Sequence, residues 1–295
     1  MSKSGNPFDL HNDDAYQAWR EQKLQNIPSG IESLIVQIDD LEAPRKSEIA
    51  ALAERIQRCN MAIYAGPPCA DKTVIRSLNR LFGLERLDHN MGADDEGITE
   101  LEVKHDEMHR RYIPYSNRAI HWHTDGYYNP SEQTIRGLAL HCVEPAAEGG
   151  ENSLMDHELA YIHLRDLSPD YIHAMMQHDA MTIPANIIDG EQLRPAISVA
   201  VFSIDSGGHL HMNFTERARN IEWKADTLVA GAVKALKALL HSDSAYIYRG
   251  TLQSGQGLIS NNVLHDRSGF NNDNTHSRLL YRLRYYDRIK LEDLL

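Results

Sequence analysis

Hydrophobic and polar positions alternate with different periods along the chain. In residues 46–58, KSEIAALAERIQR, Ile49, Leu52, Ala53 and Ile56 fall on one helical face, with Ser47 in place to cap the start. NMAIYAGPP follows, a short apolar run closed by Gly66, Pro67 and Pro68, which reads as a buried strand and turn. Residues 71–82, DKTVIRSLNRLF, predict a second helix stopped by Gly83. From Ile98 the texture changes: ITELEV, RYIPY and RGLALHCVEP are short runs separated by Gly, Asn and Pro, the rhythm of an antiparallel sandwich or barrel. Helical periods return at 156–167, 168–177 and 224–240. Strands resume with SAYIYRG, QGLISNNVLH and SRLLYRLRYYD. Residues 1–30 are polar without a clear period and predict an arm or a short helix. There are no internal repeats, and the β pattern straddles the helices. The expectation is one domain over residues 1–295, mainly β with flanking helices.

Composition narrows the function classes. Of 295 residues, 42% are hydrophobic and 24% charged, which is ordinary for a globular chain. No apolar run approaches the roughly 18–20 residues of a membrane span, and MSKSGNPFDLHNDD has no apolar leader core. A net charge of −12 argues against nucleic acid as a partner. Three scattered cysteines, Cys59, Cys69 and Cys142, do not make a disulfide framework and fit a reducing, cytoplasmic compartment. Homo-oligomerisation stays open, since no interface can be read from one sequence. The 16 histidines make a metal worth seeking.

Three H-x-D pairs occur: His11/Asp13, His123/Asp125 and His241/Asp243. On a strand, residues i and i+2 share a face, so one imidazole and one carboxylate can meet one ion. His11 lies in the polar arm. His241 follows the apolar helix KALKALL, where a donor side chain suits a helix C-terminus. His123 alone sits at a strand boundary running into Gly126, Tyr127 and Tyr128. Further on, QGLISNNVLH ends in His265, and RLLYRLRYY puts Arg278, Arg282 and Arg284 on one parity. Arginines buried on one face demand anions or paired carboxylates; on a surface sheet they are simply solvated. Two histidines and one carboxylate form the facial triad of non-haem Fe(II) oxygenases, with three positions left open. A 2-oxo acid takes two of these and dioxygen the third, and a planar Arg fork suits the distal carboxylate.

The ordered set resembles the taurine dioxygenase-like (TauD/TfdA) superfamily of Fe(II)/2-oxoglutarate-dependent oxygenases, from about Lys46 to Asp287. WHTDGYY resembles its metal motif, EPAAEGGENSLMD its GG-[DN]-[TS]-L segment, and LISNNVLHDRSGF with RLLYR its distal histidine and arginine strand. ISNNVLHDRSGF is also similar to a phrase of the glutarate hydroxylase (CsiD) branch. The resemblance implies a double-stranded β-helix (jelly-roll) core. It implies a dioxygenase that hydroxylates a small molecule and releases succinate and CO₂, with Fe(II), 2-oxoglutarate and O₂. It assigns iron to His123, Asp125 and His265, and the distal carboxylate of 2-oxoglutarate to Arg278. Ser153 would supply a hydroxyl to 2-oxoglutarate, although one extra residue after Gly149 and Gly150 lets Asn152 hold that place. Arg282 would contact the substrate or the other end of 2-oxoglutarate. A carboxylate at Asp125 argues for hydroxylation over halogenation.

Competing features are weighed beside this. His121/His123 and His209/His211 are H-x-H pairs of the kind cupin sites use, which would need neither 2-oxoglutarate nor Arg278. A non-catalytic jelly-roll binding protein is a further alternative. HDEMH, residues 105–109, has helical histidine spacing, but Asp106 stands where a zincin has Glu. Tyr127, Tyr128 and Asn129 are candidates for a substrate pocket, as are Asp88, His89 and Asn90.

Overall fold

The computed structural model describes residues 5–295 except 90–91, 107–111, 189–190, 218–220 and 293. Ten strands make its two principal sheets. These are β1 (Ile35–Gln37), β2 (Met61–Ala65), β3 (Ile98–Leu101), β4 (Ile120–His123), β5 (Gly137–Glu144), β6 (Asn152–Met155), β7 (Tyr248–Gly250), β8 (Gln256–Ser260), β9 (Leu264–Arg267) and β10 (Leu279–Tyr285). The larger sheet runs β1-β2-β8-β5-β10-β3 and the smaller β7-β6-β9-β4. Apart from the parallel β1–β2 pair, the neighbours are antiparallel.

Strand alternation builds the layers. Met61, Ile63, Leu138, Leu140, Cys142, Leu154, Leu258 and Leu280 point between the two sheets and form one apolar cluster. The opposite parity of the larger sheet, Ala62, Tyr64, Ala139, Ile259, Tyr281 and Leu283, faces the helices α2 (Lys46–Cys59) and α3 (Lys72–Arg80). This is why MAIYA is buried on both faces. The outer side of the smaller sheet, Trp122, Met155 and Leu264, packs on α4 (His157–Leu167), α5 (Pro169–Met175) and α6 (Thr227–Leu240). Fully burying such side chains stabilises by about 1.5–3 kcal/mol each.

Several expectations shift. The N-terminal segment holds a 13-residue helix, α1 (Asp13–Gln25), fixed to α4 by Tyr16, whose hydroxyl donates to Asp166. Helix α2 begins after Arg45, not at Ser47; the Glu48 carboxylate accepts from the Arg45 N–H at 2.7 Å. Within RYIPY, Ile113–Tyr115 is a 3₁₀ turn rather than a strand. QGLISNNVLH is not one strand: Asn262 adopts φ 51°, and the chain turns from β8 into β9 before His265. Among the described residues no helix is long and apolar enough to cross a membrane.

Two bulges set the side chains of the site. Val143 is an extra residue on β5, between the pairs Leu279–Glu144 and Leu280–Cys142. Because the extra residue lies on β5, β10 keeps its alternation and directs Arg278, Arg282 and Arg284 to the same interior as Leu280. A second bulge lies on β4, where His265 opposes His123 and Arg267 opposes Ile120.

Candidate active site

His123 ends β4 and His265 lies on β9, directly across the ladder, with ring centroids 4.2 Å apart. Asp125 follows in the turn, and its Oδ1 lies 3.6 Å from the His123 Nε2. The ligating atoms of His123, Asp125 and His265 all lie within 4.8 Å of one another, the one such group found among the described residues.

Local hydrogen bonds orient the rings. The His123 Nδ1–H donates to the His121 carbonyl at 2.9 Å, and the His265 Nδ1–H to the Val263 carbonyl at 2.9 Å. A carbonyl only accepts, so the proton sits on Nδ1 and each neutral ring keeps its Nε2 lone pair free. Burial, then the neighbouring His123, pushes the His265 pKa down to about 4, so that ring is neutral near pH 7. Burial works against the Asp125 charge. The Arg282 guanidinium, with Arg284 behind it, outweighs burial and holds the carboxyl well below the usual range. Arg282 Nη1 lies 3.5 Å from Asp125 Oδ2, a buried oxygen that accepts no hydrogen bond. Two free Nε2 atoms and an ionised carboxylate on one side suit an octahedral Fe(II) with open positions.

Asn262 supports this corner, a part that sequence reading quoted without a role. Its Oδ1 accepts from the Asp125 N–H at 2.8 Å. Its Nδ2 donates to the carbonyls of Asp125 at 2.9 Å and Ile135 at 2.7 Å. The signal was the NN doublet, since Asn tolerates positive φ while offering both donor and acceptor.

The remaining expected residues separate. Arg278 is buried against the Phe270 ring, 5.0 Å from its centroid, and its Nη1 has no hydrogen-bond partner. Burial lowers its pKa to about 10, consistent with a cation awaiting an anion. Ser153 departs from its expected place: its neighbours Asn152 and Leu154 share the parity that faces the interior, while its own N–H donates to Asp266 Oδ1 at 2.8 Å on the outer side. The extra residue after the glycines shifts the parity by one, so Asn152 occupies the inward position. Arg284 is already paired with Asp88 and donates to the Tyr128 hydroxyl at 2.7 Å. Tyr128 therefore faces the arginine strand. Tyr127 packs instead in the apolar layer under the helices, and Asn129 closes its own turn by donating to the Gln133 carbonyl at 2.9 Å.

The rival histidines do not join the corner. The His121 side chain is exposed, and only its carbonyl takes part. His209 is exposed beside Asp205, and His211 is buried against Asn213. His105 and Asp106 are described, but the rest of HDEMH, including His109, lies outside the described residues, as does Asn90.

Comparison with known proteins agrees with this geometry. Residues 23–284 match the family described as taurine catabolism dioxygenase TauD, TfdA family. A uridine-5′-phosphate dioxygenase from Streptomyces sp is 27% identical over 198 residues, 64% of this chain and 69% of that protein. Among solved structures, an asparagine oxygenase in complex with Fe(II), 3-hydroxyasparagine and succinate has a TM-score of 0.58 at 14% identity, over 85% of this chain and 93% of that one. PvcB from Pseudomonas aeruginosa has a TM-score of 0.54 at 15% identity, over 86% and 85%. These distant likenesses show a shared jelly-roll fold, whereas the family match spans most of the sequence. The chain belongs to the TauD, TfdA family, and it is a 2-oxoglutarate-dependent dioxygenase that works with Fe(II).

Proposed function

We propose that this protein hydroxylates a small polar molecule, with His123, Asp125 and His265 as the iron ligands. One observation carries the reading: three ligating atoms converge at the mouth of the jelly roll, with both imidazoles already turned to offer Nε2. Bound together, Fe(II) and 2-oxoglutarate would activate dioxygen, one oxygen atom entering a substrate C–H bond and the other entering the succinate that leaves with CO₂.

The chain's own residues arrange the reaction. His123, Asp125 and His265 would hold the ion from one side and leave room for further ligands. Arg278 receives the distal carboxylate through a planar fork that never deprotonates at working pH. Arg282 sits at the second oxygen of Asp125 and keeps that carboxylate ionised and aimed. Tyr128, tied to Arg284, walls the neighbouring space. The whole of residues 1–295 serves one oxygenase domain. A small polar substrate is consistent with the names of the relatives: a uridine-5′-phosphate dioxygenase, an asparagine oxygenase, and the iron oxygenase OrfP solved with L-arginine.

The test is anaerobic visible spectroscopy of the metal-free protein titrated with Fe(II) and then 2-oxoglutarate. A charge-transfer band is expected only with both, absent in Asp125→Ala and weakened at least tenfold in apparent affinity in Arg278→Ala. Metal binding by the wild type without such a band would overturn the reading and favour a cupin-like chemistry. Succinate release then screens amino acids against nucleoside monophosphates.

A further inference from the structure

Arg278 is not the only buried cation without an acid. Arg267 follows His265 by two residues on β9, so the two share a face about 7 Å apart along the strand. Its side chain is 4% exposed, as is that of Arg278. The two guanidiniums lie on the same phenyl ring, 4.9 and 5.0 Å from the Phe270 centroid. Neither forms an ion pair with a carboxylate among the described residues.

The hydrogen bonds of Arg267 are half spent. Its Nη2 donates to the carbonyls of Ser116 at 2.8 Å and Arg118 at 2.6 Å, which fixes the guanidinium. Its Nε and Nη1 are buried with no partner, like Nη1 of Arg278. Two like charges left together in a low-dielectric interior are costly unless an anion joins them. A purely structural arginine would not leave two of its three nitrogens orphaned. Gly150 lies beside Arg278 with φ 73°, a backbone conformation that favours glycine.

We propose that Arg267 is a second contact for the distal carboxylate of 2-oxoglutarate, which is held between the guanidiniums of Arg267 and Arg278 beside Phe270. The offset from His265 to Arg267 matches the length of a five-carbon diacid with its oxo end at the metal corner. This rests on the assignment of Arg278 above. A doubly cationic pocket selects strongly for an acid that carries a distal charge.

The experiment compares anaerobic affinities, read from the charge-transfer band with Fe(II), for 2-oxoglutarate and for 2-oxovalerate, the same five-carbon oxo acid without the distal carboxylate. Arg267→Gln should weaken 2-oxoglutarate roughly 10- to 100-fold and leave 2-oxovalerate nearly unchanged, so the preference collapses. Arg267→Lys should fall between the two and decides the matter where the Gln variant does not fold; a preference at least threefold below wild type is expected. An unchanged preference in a variant with a lowered melting temperature overturns the proposal and leaves Arg267 as a clamp for Ser116 and Arg118. A wild type that binds neither acid overturns the Arg278 assignment as well, whereas wild-type 2-oxoglutarate binding that needs Arg278 but not Arg267 overturns only this inference.

Discussion

The described residues include two histidine pairs, each with an aspartate, and only one gathers its ligating atoms within 4.8 Å of one another. At the metal corner, His123 and His265 use Nδ1 on backbone carbonyls and turn Nε2 toward Asp125. Beneath the helices, His157 and His211 stand near each other beside Asp156. There the His157 Nε2 is spent on the Leu210 carbonyl at 3.1 Å, and the His211 Nε2 faces Asn213 Oδ1 at 3.2 Å. Asp156 is taken by Lys23 at 2.6 Å and by Asn60. Burial opposes the charged form of three of these rings: His265 is lowered to about 4, His211 to about 3, and His157 below its ordinary value. The residue types are alike. What differs is which ring nitrogen is already engaged, Nδ1 in the first pair and Nε2 in the second, so Nε2 lone pairs converge only in the first.

The largest effect expected from this contrast is on metal binding. His265→Gln should abolish tight Fe(II) binding and with it the two-component charge-transfer band. His211→Gln should leave both unchanged. Calorimetric titration of Fe(II) into the two variants under anaerobic conditions makes the comparison. Equal losses in both would show that the second pair also governs the ion.

The sequence carried more of the site than of the frame around it. His123 and Asp125 were legible because a period of two places them together on any strand that ends near residue 123. His265 and Arg278 needed the order of motifs, since nothing local says that β9 lies against β4. The parity of the arginines survived because the bulge falls on β5, which the sequence does not announce. Ser153 and Asn152 trade parity for the same kind of reason, since one residue inserted after Gly150 exchanges inside for outside. RYIPY has strand composition, yet Tyr112–Ser116 turns and ties back by the Ser116 N–H to the Ile113 carbonyl. Arg267 was passed over as part of a quoted phrase. Its significance lies in hydrogen bonds it does not make, which no pattern of residues reveals.

A smaller effect separates the ligands from what holds them. Asn262 grips the backbone of Asp125 from both sides, at a φ that glycine also accepts. Asn262→Gly removes the grip without adding strain, and Fe(II) affinity should fall about 10- to 100-fold, the usual consequence of losing a group that orients a ligand. Asn262→Ala should weaken iron equally and lower the melting temperature further, because alanine resists positive φ. Iron affinity unchanged in both variants would mean that His123 and His265 fix Asp125 without help from its backbone.

The smallest effect belongs to the pair that binds nothing. His211 has an ordinary value of 6.5 when unfolded and about 3 when buried, with His157 also opposing its charge. Between those limits the unfolded chain holds one proton more than the folded one, so stability falls as pH falls through that window and is unaffected above it. From pH 7 to pH 5 the loss through this residue is about 2 kcal/mol. Chemical denaturation of metal-free wild type and His211→Gln at both pH values isolates it, since His265 contributes equally to each. The variant should lose about 2 kcal/mol less than wild type over that interval. Identical losses would place the acid sensitivity of the fold at the metal corner, where a bound ion would then suppress it.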